Sequence, residues 1–233
     1  MKSIAIMQPY FIPYIGYFQL IAAVDKFVVF DDVNYINRGW INRNRLLLNG
    51  VAHTFTVPLL SASQNKMICD IELVNEAAWR VKLLRTIRQA YEKAPYYNDV
   101  YKLLEGIINY STNRLGDFLL NNLMSIIYYL SLDVNIERTS RIYYNQSLKG
   151  QDRILDICHQ EQASTYINPI GGIELYDKTR FFEQGIQLRF LRSRPISYSQ
   201  NRGEHIPWLS ILDVLMFNDV LAVRQLLTEM DLI

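Results

Sequence analysis

Cysteine is nearly absent from this chain: Cys69 and Cys158 are its only two, far apart and in neither Cys-x-x-Cys nor zinc-ligand spacing. A disulfide scaffold is therefore not expected, the chain suits a reducing compartment, and both thiols read as buried and inert. Long apolar runs are missing as well. No stretch approaches the ~18–20 uninterrupted apolar residues that span a bilayer, so no membrane partner is expected. The apolar stretch after Lys2 that ends at Ala22-Ala23 is broken by Pro9 and Pro13 and contains Gln8. That separates it from a secretory signal, and the expected location is cytoplasmic. An excess of charge is missing too: 24 Lys and Arg stand against 23 Asp and Glu, a formal net charge of +1. Such a chain has no global field to gather nucleic acid, so any anionic ligand must be held by a local cluster. His53, His159 and His205 have no metal-ligand spacing and pair with no nucleophile, and structural or surface roles are expected of them. There is no G-x-S-x-G elbow, Walker loop or G-x-G-x-x-G.

What is present is apolar and patterned. Half of the 233 residues are apolar, enough for a sizeable core, and single α/β domains of this length are common. Ser3 to Met7 is short, apolar and bounded by Gln8-Pro9, as a buried strand would be. The aromatic, proline-rich stretch Gln8 to Ile15 is a loop, Gly16 to Val24 has helical apolar spacing, and Lys26 to Phe30 is a second strand that stops at Asp31-Asp32. Strand, loop, helix, strand is a βαβ unit, which implies a parallel sheet with a right-handed crossover. Further on, 53–59, 133–138, 164–167 and 186–191 read as strands. Helices are expected over 75–91, 98–110, 115–130, 151–160, 210–217 and 220–227. The expected fold is α/β: a Rossmann-like parallel sheet with flanking helices, one domain over 1–233, and 75–130 as a candidate helical lobe or insertion.

Four places have residues suited to chemistry. The first is the loop after the first strand, because ligands of open parallel sheets sit beyond the strands' carboxyl ends, beside helix N-termini. There Gln8, Tyr10 and Tyr17 offer hydrogen-bonding groups, Pro9 and Pro13 stiffen the path, and Gly16 would admit backbone close to a phosphate or carboxylate. A rigid hydrophobic connection explains the same composition equally well. The second is Asp31-Asp32, either of which would suit Mg²⁺, a sugar hydroxyl or a proton, against a strand-end turn as the plain alternative. The third is the run Asn37, Arg38, Trp40, Asn42, Arg43, Asn44 and Arg45, where guanidinium forks fit phosphate or carboxylate and an aromatic face is at hand for stacking. A solvated hairpin edge is the competing reading. The fourth is Gly171-Gly172 and Tyr176 after the 164–167 strand, which composition alone assigns to a tight turn.

Taken together, QPYFIPYIGYF, the strand ending FDDV, GWINRNRL, KGQDRILDIC, Gly171-Gly172 with Leu175-Tyr176, FFEQGIQLRFL and SILDVLMFND resemble the WbqC-like protein family, in order and over nearly the whole chain. The chain departs from the family pattern where Asn168-Pro169 replaces a common Ser-Gly pair, and where Thr139-Ser140 stands for a Ser-Ser pair. The resemblance implies a role in surface-polysaccharide (O-antigen) clusters. It also implies a transferase adding an aminoacyl group of the glycyl type to a nucleotide-linked amino sugar, from a separate acyl donor. On this view Asp31 or Asp32 would accept the proton of the attacking amine. A weaker likeness to nucleotidyltransferases with an H-x-G-H motif, carried by Pro13-Tyr14-Ile15-Gly16-Tyr17, makes ATP and Mg²⁺ candidate cofactors. Tyr17 stands there where a histidine would stabilise a transferring phosphate, so Arg43 or Arg45 would have to supply that charge. A non-catalytic nucleotide-sugar binding subunit is the alternative. Nucleic acid enters only if aminoacyl-tRNA is the donor, with an RNA-binding role ranked third.

Overall fold

The computed structural model describes residues 2–200 and 204–233. In chain order its elements are β1 (Ser3–Met7), α1 (Ile15–Ala22), β2 (Lys26–Val29), β3 (Arg43–Leu48), β4 (Val51–Thr56), β5 (Leu59–Leu60) and β6 (Glu72–Leu73). Then come α2 (Ala77–Tyr91), α3 (Tyr97–Ile108), α4 (Leu115–Tyr129), β7 (Asn135–Glu137), α5 (Gly150–Gln160) and β8 (Thr165–Pro169). The last are α6 (Lys178–Glu183), β9 (Gln187–Ser193), α7 (Ile211–Phe217), α8 (Val220–Leu226) and β10 (Met230–Leu232).

Six strands form the central sheet in the order β10-β9-β8-β1-β2-β7. All neighbours run parallel except β10, which pairs antiparallel with β9 at the edge. The α/β, Rossmann-like expectation is met: the sheet is mostly parallel and helices flank it. Side chains alternate along β1, so Ala5 packs with α1 and the inserted helices, while Ile4 and Ile6 pack with α5 and α6. Each fully buried Ile contributes roughly 1.5–3 kcal/mol relative to exposure. That burial on both sides is why the strand reads as an unbroken apolar run.

The crossover from β2 to β7 carries the hairpin β3/β4, the pair β5/β6 and helices α2, α3 and α4. Leu84, Ile87, Leu104, Ile107, Leu119 and Leu123 from those helices share one buried cluster with α1 and the sheet. The strand foreseen over 53–59 is shorter at its end and starts earlier, because Pro58 interrupts pairing and the turn Asn49-Gly50, both at positive φ, closes a tight hairpin after β3. Neither β3, α6 nor β10 was expected from the sequence. Along β3 the inward positions alternate Asn44 and Leu46, and the buried polar residue obscures the strand pattern.

Candidate functional site

Counting only the sheet strands in chain order, the central sheet reads 6-5-4-1-2-3. The chain leaves β1 and β8 in opposite directions, and a crevice opens beyond their carboxyl ends, where doubly wound sheets bind ligands. The loops after β1 (residues 8–14) and after β8 (170–176) face each other across it. The main cleft, about 500 Å³, is lined by Gln8, Tyr10, Tyr14, Trp40, Asn168 and Tyr176 among others. A second cleft of about 510 Å³ adjoins it, sharing Phe30, Leu175 and Tyr176 and adding Asp32, Lys149 and Arg153. A small pocket of about 220 Å³ opens from the other end past Tyr10, Tyr14 and Trp40.

The first loop is held against its own preference. Ile12 has φ +42°, a conformation that a β-branched residue resists at a cost of about 1–3 kcal/mol. Its surroundings impose it. Asn44 Nδ2 donates to the carbonyls of Ile12 (2.8 Å) and Phe11 (3.2 Å), Ser210 Oγ donates to the Ile12 carbonyl (2.6 Å), and Asn122 Nδ2 donates to the Tyr10 carbonyl (3.1 Å). Asn42 is engaged likewise, donating to the Val57 carbonyl and accepting from the Tyr35 hydroxyl, both at 2.8 Å. Asn44 therefore ties the hairpin to the loop, while Asn42 ties the hairpin's base to Tyr35 and Val57.

Gly16 serves packing: a Cβ there would lie 2.3 Å from the Tyr14 ring and 2.5 Å from Ser193 Oγ. Gly172 does the same for Asn168, whose Nδ2 would be 2.1 Å from such a Cβ, whereas Gly171 faces open space in the cleft. Tyr17 is buried, and its hydroxyl donates to the Gln8 carbonyl at 2.9 Å. Pro9 is buried beneath the loop, and Pro13 turns a face to the small pocket. Burial pushes the phenols of Tyr10, Tyr14 and Tyr17 above their usual pKa, helped at Tyr10 by Tyr14 and at Tyr17 by Tyr10, and opposed at Tyr14 by a hydrogen bond with Ser193. At neutral pH all three are hydrogen-bond donors. Beneath the opposite loop, the Tyr166 hydroxyl lies 3.1 Å from Asn168 Oδ1 and 3.3 Å from the Tyr176 hydroxyl, a buried network that sets the Tyr176 ring.

The two aspartates point apart. Asp31 Oδ1 accepts from Thr139 Oγ1 (2.8 Å) and from the Ser140 backbone N–H (3.1 Å), away from the clefts. Burial raises its pKa, and these two hydrogen bonds oppose the rise. Asp32 borders the second cleft with its side chain 1% exposed. Arg153 Nη2 donates to its Oδ1 at 2.6 Å, Gln146 Nε2 to its Oδ2 at 2.9 Å, and Ser140 Oγ also donates to Oδ1. Arg153, itself 5% exposed, further donates to the Asp32 carbonyl (3.1 Å) and to Asn145 Oδ1 (2.9 Å), and lies over the Phe30 ring at 4.7 Å. Among the described residues, two of the guanidinium N–H groups have no partner, and Arg153 lines the cleft. Lys149 and the N-terminus of α5, which begins at Gly150, complete a cationic end. Mg²⁺ finds little here: among the described residues no three or more His, Cys, Asp or Glu gather, and the oxygens of Asp32 are engaged.

The remaining sequence candidates divide. Asn37 and Arg38 lie on an exposed turn, with Arg38 at φ +59°. Arg43 folds back onto that turn, donating to the Gly39 carbonyl at 3.0 Å and to the Arg38 carbonyl. Arg45 reaches the small pocket, and both guanidinium groups flank Trp40, 5.7 Å and 5.5 Å from its ring centre. Gln8, Tyr10, Tyr17, Trp40, Gly171, Gly172 and Tyr176 meet in the main cleft. Sequence reasoning missed Arg153, Lys149, Trp208, Asn122 and Ser210. A signal existed for one of them: a lysine directly before a helix start opposes the helix dipole unless an anion is to be held there. Cys158 is buried as expected, whereas Cys69 is only half-buried; at both, burial first, with nearby carboxylates, raises the thiol, to about 11 at Cys69 and about 12 at Cys158. Among the described residues no helix is long and apolar enough to cross a membrane.

Comparison with known proteins agrees with the extent of the fold. A model of the WbqC-like protein family matches residues 8–225. The uncharacterized protein Rv1507c of Mycobacterium tuberculosis is 28% identical over 223 residues, covering 94% of each chain. No solved structure matches.

Proposed function

We infer the function from a premise that the match establishes: the chain belongs to the WbqC-like protein family. On that premise we propose a transferase of surface-polysaccharide (O-antigen) assembly, which adds an aminoacyl group of the glycyl type to a nucleotide-linked amino sugar. One observation carries the proposal. At the topological switch point, a cationic end built from Arg153, Lys149 and the α5 N-terminus adjoins a cleft where phenols and amides stand among apolar side chains. An elongated ligand with an anionic part and a hydroxyl-rich neutral part matches that sequence of groups, as a sugar diphosphate does.

In acyl transfer the sugar amine attacks the donor carbonyl. A C–N bond forms, negative charge collects on the carbonyl oxygen, the bond to the leaving group breaks, and the amine proton departs on that group. The protonated phenol of Tyr176, which lines both clefts beside the cationic end, is placed to donate to such an oxygen, the kind of fixed dipole that lowers an acyl-transfer barrier. Asp32 holds Arg153 for the phosphates in this reading, and Asp31 fixes the segment that follows β7. ATP with Mg²⁺ stays a candidate for activating the acyl group, and aminoacyl-tRNA for supplying it. The engagement of both carboxylates favours one other reading: a binding subunit without turnover.

Thermal shift with UDP- and dTDP-linked amino sugars, ATP-Mg²⁺ and glycine tests the proposal, since ligands of the folded state raise its apparent stability. A nucleotide-linked amino sugar should raise the Tm of the protein, and Lys149→Ala should reduce that rise. Release of free nucleotide-linked acylamino sugar in a turnover assay separates the transferase from the binding subunit. No shift with any nucleotide-linked sugar would overturn both.

A further inference from the structure

The small pocket is distinct in chemistry from the rest of the cleft. Tyr10, Tyr14, Trp40 and Trp208 wall it, with Pro13 and Arg45 between them. Trp40 and Trp208 are 42% and 52% exposed, although they are the largest side chains of the region, and the Tyr14 and Trp208 ring centres stand 6.1 Å apart. Large aromatic side chains bordering an open space of about 220 Å³ suit a flat ring of comparable size. The pocket's polar side chains are limited. Asn44 donates to loop carbonyls and accepts from the Arg45 backbone N–H at 2.9 Å, so its amide is engaged. Arg45 donates from Nη2 to the Trp208 carbonyl at 3.1 Å, and among the described residues its water-shielded Nε has no partner. Among the described residues neither Arg43 nor Arg45 has a carboxylate within ion-pair distance. A ligand here therefore meets donors from Arg45, and must present acceptors on its edge.

We propose that this pocket is a nucleobase subsite: Trp208 stacks against a base bearing a carbonyl on its edge, Trp40 borders the base with Arg45 packed over its ring, and the Arg45 guanidinium donates to that carbonyl. Arginine is suited to the task, since its planar fork bonds base carbonyls and its face stacks on indole. The subsite deepens the reading of the main cleft and rests on it, because the pocket shares Tyr10, Tyr14 and Trp40 with that cleft. A nucleotide seated here sends its ribose and phosphates into the crevice. Trp208 comes from a part of the chain remote from the other walls, and the antiparallel bridge Tyr14–Ser210 brings it there.

The test is titration of the full chain, followed by tryptophan fluorescence and by calorimetry, with UDP, with UMP and with ribose 5-phosphate, which matches UMP in phosphate but lacks the base. UDP and UMP should bind and alter the fluorescence, and ribose 5-phosphate should bind at least about tenfold more weakly than UMP, as base–aromatic stacking requires. Trp40→Leu and Trp208→Leu should each weaken UDP and leave ribose 5-phosphate unchanged. Arg45→Met keeps the length of the side chain, and should weaken UDP likewise. Because both tryptophans are half exposed, circular dichroism should show folded variants. Equal binding of UMP and ribose 5-phosphate, or UDP affinity indifferent to both tryptophan substitutions, overturns the base subsite and leaves the main-cleft reading standing. Absence of binding by any of these probes, and by the nucleotide-linked sugars as well, overturns both.

Discussion

Arg153→Met removes one partner of the buried pair with Asp32 while keeping most of the side-chain length over Phe30. In the parent protein, among the described residues, Asp32 accepts from three side chains, Ser140, Gln146 and Arg153, the last from Nη2 at 2.6 Å. After substitution, Ser140 and Gln146 remain, but a carboxylate only 1% exposed loses its counter-charge. Asn145 Oδ1 and the Asp32 carbonyl lose a donor as well. Leaving one charge of a buried pair unmatched costs about 3–5 kcal/mol. For a chain of this size that corresponds to a fall of roughly 6–20 °C in Tm. Urea denaturation of Arg153→Met, Asp32→Asn and the double variant closes a cycle. The double variant should recover part of the loss, with a coupling energy of about 1–3 kcal/mol. A cost below about 1 kcal/mol for Arg153→Met, the range of surface ion pairs, would refute the description of this pair as a buried device.

Three further outcomes are expected. Asn44→Ala strips a donor from the buried carbonyls of Phe11 and Ile12; it should cost about 1–3 kcal/mol in chemical denaturation and weaken ligand binding by loosening the first loop. Gly16→Ala drives a methyl into the Tyr14 ring at 2.3 Å and Ser193 Oγ at 2.5 Å, so the overpacking should cost about 1–3 kcal/mol, read as a lowered midpoint in urea; an unchanged midpoint would show that the loop yields freely. At Glu161 burial favours the neutral form, but hydrogen bonds from Lys2, Lys26 and Tyr143 outweigh it and hold the carboxyl down at about 2. The folded pKa lies below the unfolded value of about 4.3, so this stabilisation is complete above that value and is lost as pH falls toward 2. Discounted for partial exposure, it amounts to about 1–3 kcal/mol, and Glu161→Gln should flatten the loss of stability between about pH 5 and 2.

The opening βαβ unit was legible because its signals are local. Ile4, Ala5 and Ile6 form an apolar run buried on both faces, Pro9 and Pro13 exclude an early helix, and Asp31-Asp32 ends the next strand abruptly. Those same rules placed the 8–17 loop and the Gly171-Gly172 loop at carboxyl ends of strands, and the sheet order then sets them face to face. What stayed hidden depends on distant pairing. β10 is three residues long and exists because β9 offers it an edge, so its own sequence carries little strand signal. The β3/β4 hairpin was readable from Asn49-Gly50, yet the inward Asn44 masked its alternation. Arg153 sits one residue before Ile154 in an amphipathic helix and reads as part of its polar face; only the return of α5 across the sheet brings it to Asp32. Asn44, Asn122 and Ser210 show the same limit: each grips the loop at 10–12 from far along the chain.

Isothermal titration of the protein and of Lys149→Ala with a UDP-linked amino sugar tests most directly whether the crevice between β1 and β8 holds a nucleotide-linked sugar. Saturable one-to-one binding that weakens in the variant is expected, because an exposed lysine at the α5 N-terminus would contribute to holding the diphosphate. Binding of equal strength in both proteins would contradict the cationic end as the phosphate site. No heat with this sugar or its dTDP-linked counterpart would contradict the crevice as a nucleotide-sugar site altogether.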